Sequence, residues 1–295
     1  MDKNELPEKK ISQSAIVTVT DMGHLIEVQH MQKRNGECRI RKIDAYRYIN
    51  LETGEIHEYD KIENRSESEN SLRQTFKKLR YLINNNFTGK PNELFVTFTF
   101  AKDSFDNKEI YTDFNKFIKR LKYKYKDSTT IDYLNVVEPH ASGQWHSHML
   151  IRFNDLRSVY IPNKELADLW GHGYVTIKSL KNVDNIGAYV SAYLADLDVP
   201  DDFVPKSDKT EVMIKTVEGK PKKFVKGGRL QYYPPGMNLY RKSKGILYPE
   251  REEMPYKSAQ KKCGMEKPHF RKSYSITRND GFENTITIEQ YNLKR

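Results

Sequence analysis

Leu94-Phe95-Val96-Thr97-Phe98-Thr99-Phe100 and Trp145-His146-Ser147-His148-Met149-Leu150-Ile151-Arg152-Phe153 are the stretches on which the fold turns. The first is an aromatic and β-branched run, which favours extended backbone. Side chains alternate along a strand, so Val96 and Phe98 share one face and Thr97 and Thr99 the other. The second carries the apolar residues of a largely buried strand. Tyr133 to Val137 predicts a third, joined to it by Pro139-His140-Ala141-Ser142-Gly143 and therefore antiparallel to it.

Between and after these strands the period changes to that of a helix. Phe114, Phe117, Ile118, Leu121 and Tyr125 form a stripe with Lys116, Lys119, Arg120 and Lys122 around it. Asn163 is placed to cap a short helix carrying Leu166, Leu169 and Trp170. Gly173 to Ile177 predicts another strand, and Val183 to Leu197 a last helix. Upstream, Leu72, Phe76, Leu79 and Ile83 share a helical face, after a polar stretch at 63–69. The order β-α-β-β-α-β-α fits an α+β fold: a central antiparallel sheet with helices packed on one face, of the ferredoxin or RRM-like kind. Residues 15–28 predict a hairpin turning at Asp21-Met22-Gly23. A second is expected near the C-terminus, turning at Asn279-Asp280-Gly281. The chain thus divides into a β-rich segment (1–62), a core (63–200) and a basic extension (201–295).

Composition narrows the function. The 295 residues are 37% hydrophobic, 31% charged and 12% aromatic, too rich in aromatics for disorder. The longest apolar runs are a few residues, too short to span a bilayer. The first residues lack an apolar leader stretch, and the two cysteines, Cys38 and Cys263, have no CxxC partner. A cysteine-based zinc site is excluded, and a soluble chain in a reducing cytoplasm is expected. Net charge is +10, of which residues 201–295, with 21 basic and 12 acidic side chains, carry +9. Such a concentration suits a polyanion, most simply nucleic acid. No GxxxxGK[ST] is present, so the chain carries no P-loop motor.

Three groups of residues carry chemistry. His146 and His148, at i and i+2 of a strand, stand on one face, where two imidazoles suit one divalent cation or form a buried polar pair. Glu138, at the end of the preceding strand, is placed across from them. Two His and one carboxylate suit Mg²⁺, Mn²⁺ or a similar catalytic metal able to polarise a phosphate oxygen. On the last helix, Tyr189 and Tyr193 lie one turn apart. Ile186, Val190, Leu194 and Leu197 already supply an apolar stripe there, which leaves the tyrosines open to nucleophilic work.

Taken together, the strand at 94–100, His146-Ser147-His148 and Tyr189-Val190-Ser191-Ala192-Tyr193 resemble the HUH endonuclease superfamily. The order, His pair before Tyr, is similar to rolling-circle replication initiators of plasmids and small single-stranded DNA phages, in their two-tyrosine subgroup. The chain departs from the pattern at Ser147, where the family has a hydrophobic residue. It departs again at Ala192, where many members carry a lysine that helps neutralise the phosphate; Lys178 and Lys181 are substitutes. The resemblance implies Glu138, His146 and His148 as metal ligands, and Tyr189 and Tyr193 as nucleophiles that leave a 5′-phosphotyrosine and a free 3′-OH. It implies Mg²⁺ or Mn²⁺ as cofactor, single-stranded origin DNA as substrate, and a host helicase and DNA polymerase as partners, with no membrane.

The basic, tyrosine-containing stretch 222–244 suits phosphate contact and base stacking. Within it Lys222, Lys223, Arg229, Tyr232, Tyr233, Arg241, Lys242 and Lys244 are the expected DNA contacts. A transposase or relaxase would share the chemistry. An RRM-like binding module would instead use the aromatics of 95–100 as stacking platforms, with the His pair incidental.

Overall fold

The computed structural model describes residues 10–34, 39–44, 46–59, 69–101, 107–139, 144–181, 183, 185–200, 202, 204, 211–217, 220–234, 237–277 and 282–294. They belong to two units, residues 1–62 with 249–295, and residues 63–248. The turn expected at Asn279-Asp280-Gly281, the connection His140–Gly143, most of the polar stretch at 63–69, and Cys38 lie outside the described residues. Among the described residues, no helix is long and apolar enough to cross a membrane.

Alternating apolar residues build the opening hairpin of β1 (Ile16–Asp21) and β2 (Leu25–Met31). Asp21 Oδ1 accepts the Gly23 N–H at 2.9 Å, and Gly23 takes the left-handed φ of 79° that this turn requires. Three short strands, β3 (Ile40–Lys42), β4 (Arg47–Asn50) and β5 (Ile56–Glu58), make a small antiparallel sheet of their own.

The second unit begins with α1 (Glu69–Asn86), followed by β6 (Glu93–Phe98), α2 (Asn107–Lys124), β7 (Ile131–Pro139) and β8 (Trp145–Phe153). Then come α3 (Asn163–Trp170), β9 (Val175–Ser179) and α4 (Ile186–Ala195). The strands form an antiparallel sheet in the order β13-β7-β8-β6-β9, where β13 (Tyr240–Lys242) returns from far along the chain to pair with β7. A second sheet of β10 (Leu197–Val199), β11 (Val212–Val217) and β12 (Lys220–Val225) follows α4.

The α+β class and the central antiparallel sheet are as expected; the placing of helices on one face is not. Leu94, Val96 and Phe98 of β6 pack with Phe114, Phe117 and Trp170 of α2 and α3. Phe95 and Leu150 point the other way and pack with Leu79 and Ile83 of α1 and Ile186 and Val190 of α4. Both faces of β6 and β8 are apolar over most of their length, so both need a helical cover. The short helix also starts differently. Pro162 holds its N-cap position and no side chain caps it, while Arg120 donates to Leu169 O at 2.8 Å and to Trp170 O at 2.9 Å at its other end.

The expected basic extension is divided between the units. Residues 211–248 build β11, β12 and β13 of the second unit. The remainder forms β14 (Glu250–Pro255), α5 (Tyr256–Lys262), β15 (Phe270–Thr277) and β16 (Glu283–Asn292) of the first. Their sheet runs β14-β1-β2-β16-β15, so the C-terminal hairpin completes what the opening hairpin starts. The physical reason is edge satisfaction: β1 and β2 alone would leave rows of amide groups unpaired, and β14 and β16 pair them. Beneath α5, the fully buried Glu289 accepts from Tyr291 Oη at 2.7 Å and Tyr256 Oη at 3.1 Å. Buried Cys263 packs in the same core.

Two outcomes follow from this packing. Phe98 is fully buried among Phe114, Phe117 and Trp170. Phe98→Ala is expected to cost about 3–5 kcal/mol in urea denaturation; a loss under about 1 kcal/mol would mean that the neighbouring rings close the gap. In the first unit, burial first, and then the Glu289 and Asp21 carboxylates, push the Cys263 thiol up to about 12 from its ordinary 9.0. Burial and Glu289 also raise the Tyr256 and Tyr291 phenols. A raised native pKa means that the fold holds its protons more tightly than the unfolded chain does. This stability is therefore complete below about pH 9 and is lost as the pH rises towards 12. Alkylation of Cys263 under a fixed sub-denaturing urea concentration, read by peptide mass, should accelerate between those limits by more than the thiol's own ionisation explains.

Candidate active site

The register of β7 on β8 sets the site. Val136 lies opposite His148 and Glu138 opposite His146, so the three polar residues share one face and one end of the sheet. On the other side of β8, Thr97 of β6 lies opposite His148. His148 Nε2 meets Glu138 Oε2, and Nδ1 lies 3.0 Å from Thr97 Oγ1. A carboxylate only accepts, so Nε2–H donates to it, and in the neutral ring Nδ1 accepts from the threonine hydroxyl. His148 and Glu138 are both buried, while His146 is half-buried.

The tyrosine helix is set on this face by its own N-terminus. Asn185 caps it, its Oδ1 accepting the Ala188 N–H at 2.9 Å. Asn84 of α1 locks the same turn: its Oδ1 accepts the Gly187 N–H at 2.8 Å and its Nδ2 donates to Asn185 Oδ1 at 3.0 Å. A Cβ at Gly187 would come within 2.8 Å of the Arg80 carbonyl, so this close helix approach needs glycine. Tyr189 then meets Phe95 edge-on, with ring centroids 5.9 Å apart at 72°, and the same Phe95 ring stacks on His148 at 5.5 Å and 4°. The expected nucleophile and the expected ligand are thus carried by one aromatic ring. Tyr193 lies one turn further along α4, and its side chain, like that of Ala192, is outside the described residues. Of the two lysines weighed against Ala192, Lys178 is exposed and lies opposite Phe95 on β9, on the face that carries the site. Lys181 follows the strand, beyond Leu180, and is exposed.

The C-terminal end of α4 is held by a segment that composition had marked for DNA. Arg229 is buried, with Nη1 2.6 Å from Glu138 Oε1 and 2.8 Å from Pro139 O, and Nε 2.6 Å from Asp196 O. Tyr233 is fully buried, its hydroxyl 3.0 Å from Val137 O and 3.2 Å from Leu194 O. Burial and then the Glu138 charge push its phenol well above the usual range, so it stays protonated. Neither side chain is open to nucleic acid. These two expected DNA contacts are corrected to interior groups: a guanidinium answers a buried carboxylate, and a hydroxyl answers carbonyls that would otherwise lack donors.

The same geometry tests the expected metal set of Glu138, His146 and His148. A ligand nitrogen needs an open lone pair. Both ring nitrogens of His148 are engaged, and the two oxygens of Glu138 serve His148 and Arg229. Among the described residues, no group of three or more His, Cys, Asp or Glu side chains is arranged to hold an ion. The backbone brings the three residues to one place, but their side chains in this arrangement do not fit a metal.

Comparison with known families falls on the same stretch. Residues 93–198 match a family model described as replication-associated protein, of the ORF2 type. The matched segment is about a third of the chain and holds Glu138, His146, His148, Tyr189 and Tyr193. No curated protein and no solved structure shows significant similarity to the chain. Arg229 and Tyr233 lie outside the matched segment, yet they complete the surroundings of Glu138 within it.

The remaining expected DNA contacts are scattered. Lys222 and Lys223 are on β12, where Lys222 pairs with Asp198 at 3.2 Å. Tyr232 is exposed or half-buried like its neighbours in the short 3₁₀ turn Leu230–Tyr232, which holds no buried residue. On β13, Arg241 lies 3.6 Å over the Tyr111 ring and Lys242 donates to Ile246 O at 2.7 Å. Lys242 and Lys244 line a groove of about 640 Å³ with Lys122, Lys126 and Asp132. That groove lies at the Ile131 end of β7, whereas Glu138 is six residues on from Asp132, about 20 Å along an extended strand. The aromatics proposed as stacking platforms of a binding module are covered instead: Phe95 and Phe98 are buried and Phe100 is half-buried.

The buried pair gives a stability prediction. Glu138→Gln leaves the Arg229 charge buried without its counter-charge and is expected to cost about 3–5 kcal/mol in chemical denaturation. Lys222→Met, at an exposed pair, should leave the midpoint unchanged. Equal, small effects from both would show that Arg229 reaches water in solution.

Proposed function

We propose that the chain is a replication initiator that nicks single-stranded origin DNA by tyrosine transesterification. The observation that carries this reading is the shared packing of Tyr189 and His148 on Phe95, inside a segment similar to the replication-associated protein family. In the proposed step, a tyrosine oxygen attacks phosphorus in line and the bond from phosphorus to the 3′-oxygen breaks. The phenolic proton is lost to solvent or to an imidazole of the pair, and the leaving 3′-oxygen takes up a proton. The products are a 5′-phosphotyrosine and a free 3′-OH. Because one phosphodiester bond is exchanged for another, a later 3′-OH reverses the step and rejoins strands without ATP. A second tyrosine on the same helix allows one end to be held while another is cut. The free 3′-OH would prime a host polymerase, with a separate host helicase unwinding the duplex in the cytoplasm.

Charge accumulates on the phosphate in such a step and needs a cation. Mg²⁺ or Mn²⁺ remains a proposal, because Glu138 and His148 would have to exchange their present partners to take it. Lys178, on the site face, is the cation of this chain whose position suits the role.

The test is covalent capture. The chain is incubated with a labelled pool of random-sequence single-stranded DNA, with and without Mn²⁺ or Mg²⁺, and resolved on a denaturing gel. Adduct on the 5′-phosphate fragment is expected from the wild type. It should fall at least about a hundredfold in the Tyr189→Phe, Tyr193→Phe double variant. DNA binding without adduct under every metal condition would overturn the nicking reading in favour of a binding module.

A further inference from the structure

We propose that Arg229 is a positioning residue for the nicking reaction, tying the strand that carries Glu138 to the C-terminal end of the tyrosine helix. The proposal rests on the function above and deepens it. The last carbonyls of a helix have no partner within it. Here three successive ones are answered from the 229–233 segment: Leu194 O by the Tyr233 hydroxyl at 3.2 Å, Ala195 O by the Arg229 N–H at 3.0 Å, and Asp196 O by Arg229 Nε at 2.6 Å. The same two residues reach the strand on their other side. Arg229 Nη1 holds the Glu138 carboxylate at 2.6 Å and Pro139 O at 2.8 Å, and the Tyr233 hydroxyl lies 3.0 Å from Val137 O. A guanidinium suits the place in three ways. Its charge answers the carboxylate, it favours a helix C-terminus, and its fixed planar donors span two elements at once.

What the clamp controls is geometry. Glu138 meets His148, His148 stacks on Phe95, and Phe95 carries Tyr189, so one end of the chain of contacts is the strand and the other is the helix. Arg229 joins those two elements directly and closes the ring. It touches none of the expected reacting atoms and is buried, so it acts through its neighbours and not on the substrate.

The experiment compares Arg229→Ala, Arg229→Lys and Tyr233→Phe with the wild type in single-turnover nicking of an oligonucleotide that the wild type cleaves. Thermal melting and DNA affinity are measured alongside. Arg229→Ala is expected to lower the rate about tenfold to a hundredfold at saturating DNA, with DNA affinity unchanged. Arg229→Lys should recover part of that rate. Added guanidinium, below denaturing levels, should partly restore Arg229→Ala and leave a Tyr189→Phe variant inactive. A folded Arg229→Ala with wild-type rate, or one that loses DNA affinity but not rate, overturns the proposal, the latter returning Arg229 to the DNA contacts. If Arg229→Ala does not fold, a folded Arg229→Lys or Tyr233→Phe at full rate overturns it and a slowed one supports it. A wild type that forms no adduct sinks the nicking reading itself, whereas a nicking wild type indifferent to all three changes sinks only the role of Arg229.

Discussion

A carboxylate taken out of water dominates the site. Glu138 is buried at the end of an otherwise apolar strand, where an ionised carboxylate is tolerated only if charges and donors close around it. His148 supplies one donor and Arg229 the other. Arg229 in turn is a buried cation with several N–H groups to place, and the nearest acceptors are the open carbonyls at the end of α4 and the end of β7. One desolvated group thus draws in a histidine, an arginine and a helix terminus. The site is organised by satisfaction of polar groups, in a part of the sheet where the hydrophobic effect alone would select leucines.

The sheet shows why this end differs from the rest. On β8 the site face reads His146, His148, Leu150, passing from polar to apolar within one strand, and β7 does the same in reverse through Leu134, Val136 and Glu138. The apolar part is sealed by α1 and α4, while the other face of the sheet packs its apolar residues under α2 and α3. A helix lying over the junction therefore places residues from one turn against the core and residues from the same turn beside the polar end. Tyr189 is such a residue, partly buried against Phe95 at the boundary of the two environments.

Much of this was legible locally. Periodicity placed the helices carrying Leu79 and Phe117 and the strands carrying Val96 and Met149, because burial of one face imposes a repeat that can be counted. The i, i+2 spacing of His146 and His148 and the helical spacing of Tyr189 from Val190's stripe led to the same face of the same sheet. What could not be read was partnership across the chain. Arg229 and Tyr233 sit among lysines and tyrosines, and composition alone marks such a stretch as a nucleic-acid contact. Their true role depends on a strand end that lies far earlier in the chain, at Val137 and Glu138. The pairing of Tyr240 with Val136, and of Ile288 with Gln29, is likewise invisible to a local pattern. The second helical layer was hidden for a related reason: Phe95 and Leu150 are unremarkable within their strands until both faces are considered together.

The metal expectation failed at a different level. Spacing and register brought Glu138, His146 and His148 to one place, yet whether a donor atom is open is a property of its side-chain partners. Thr97, an ordinary β-branched strand residue, takes one nitrogen of His148, and Arg229 takes one oxygen of Glu138. A cation at this site would meet a network already balanced in charge: one carboxylate against one guanidinium, with a neutral imidazole hydrogen-bonded to the carboxylate. Adding two positive charges there without releasing Arg229 would be electrostatically unfavourable in a low-dielectric setting. The guanidinium and an added cation thus compete for the same carboxylate, and the balance between them is set by how firmly the helix end and the strand end hold Arg229.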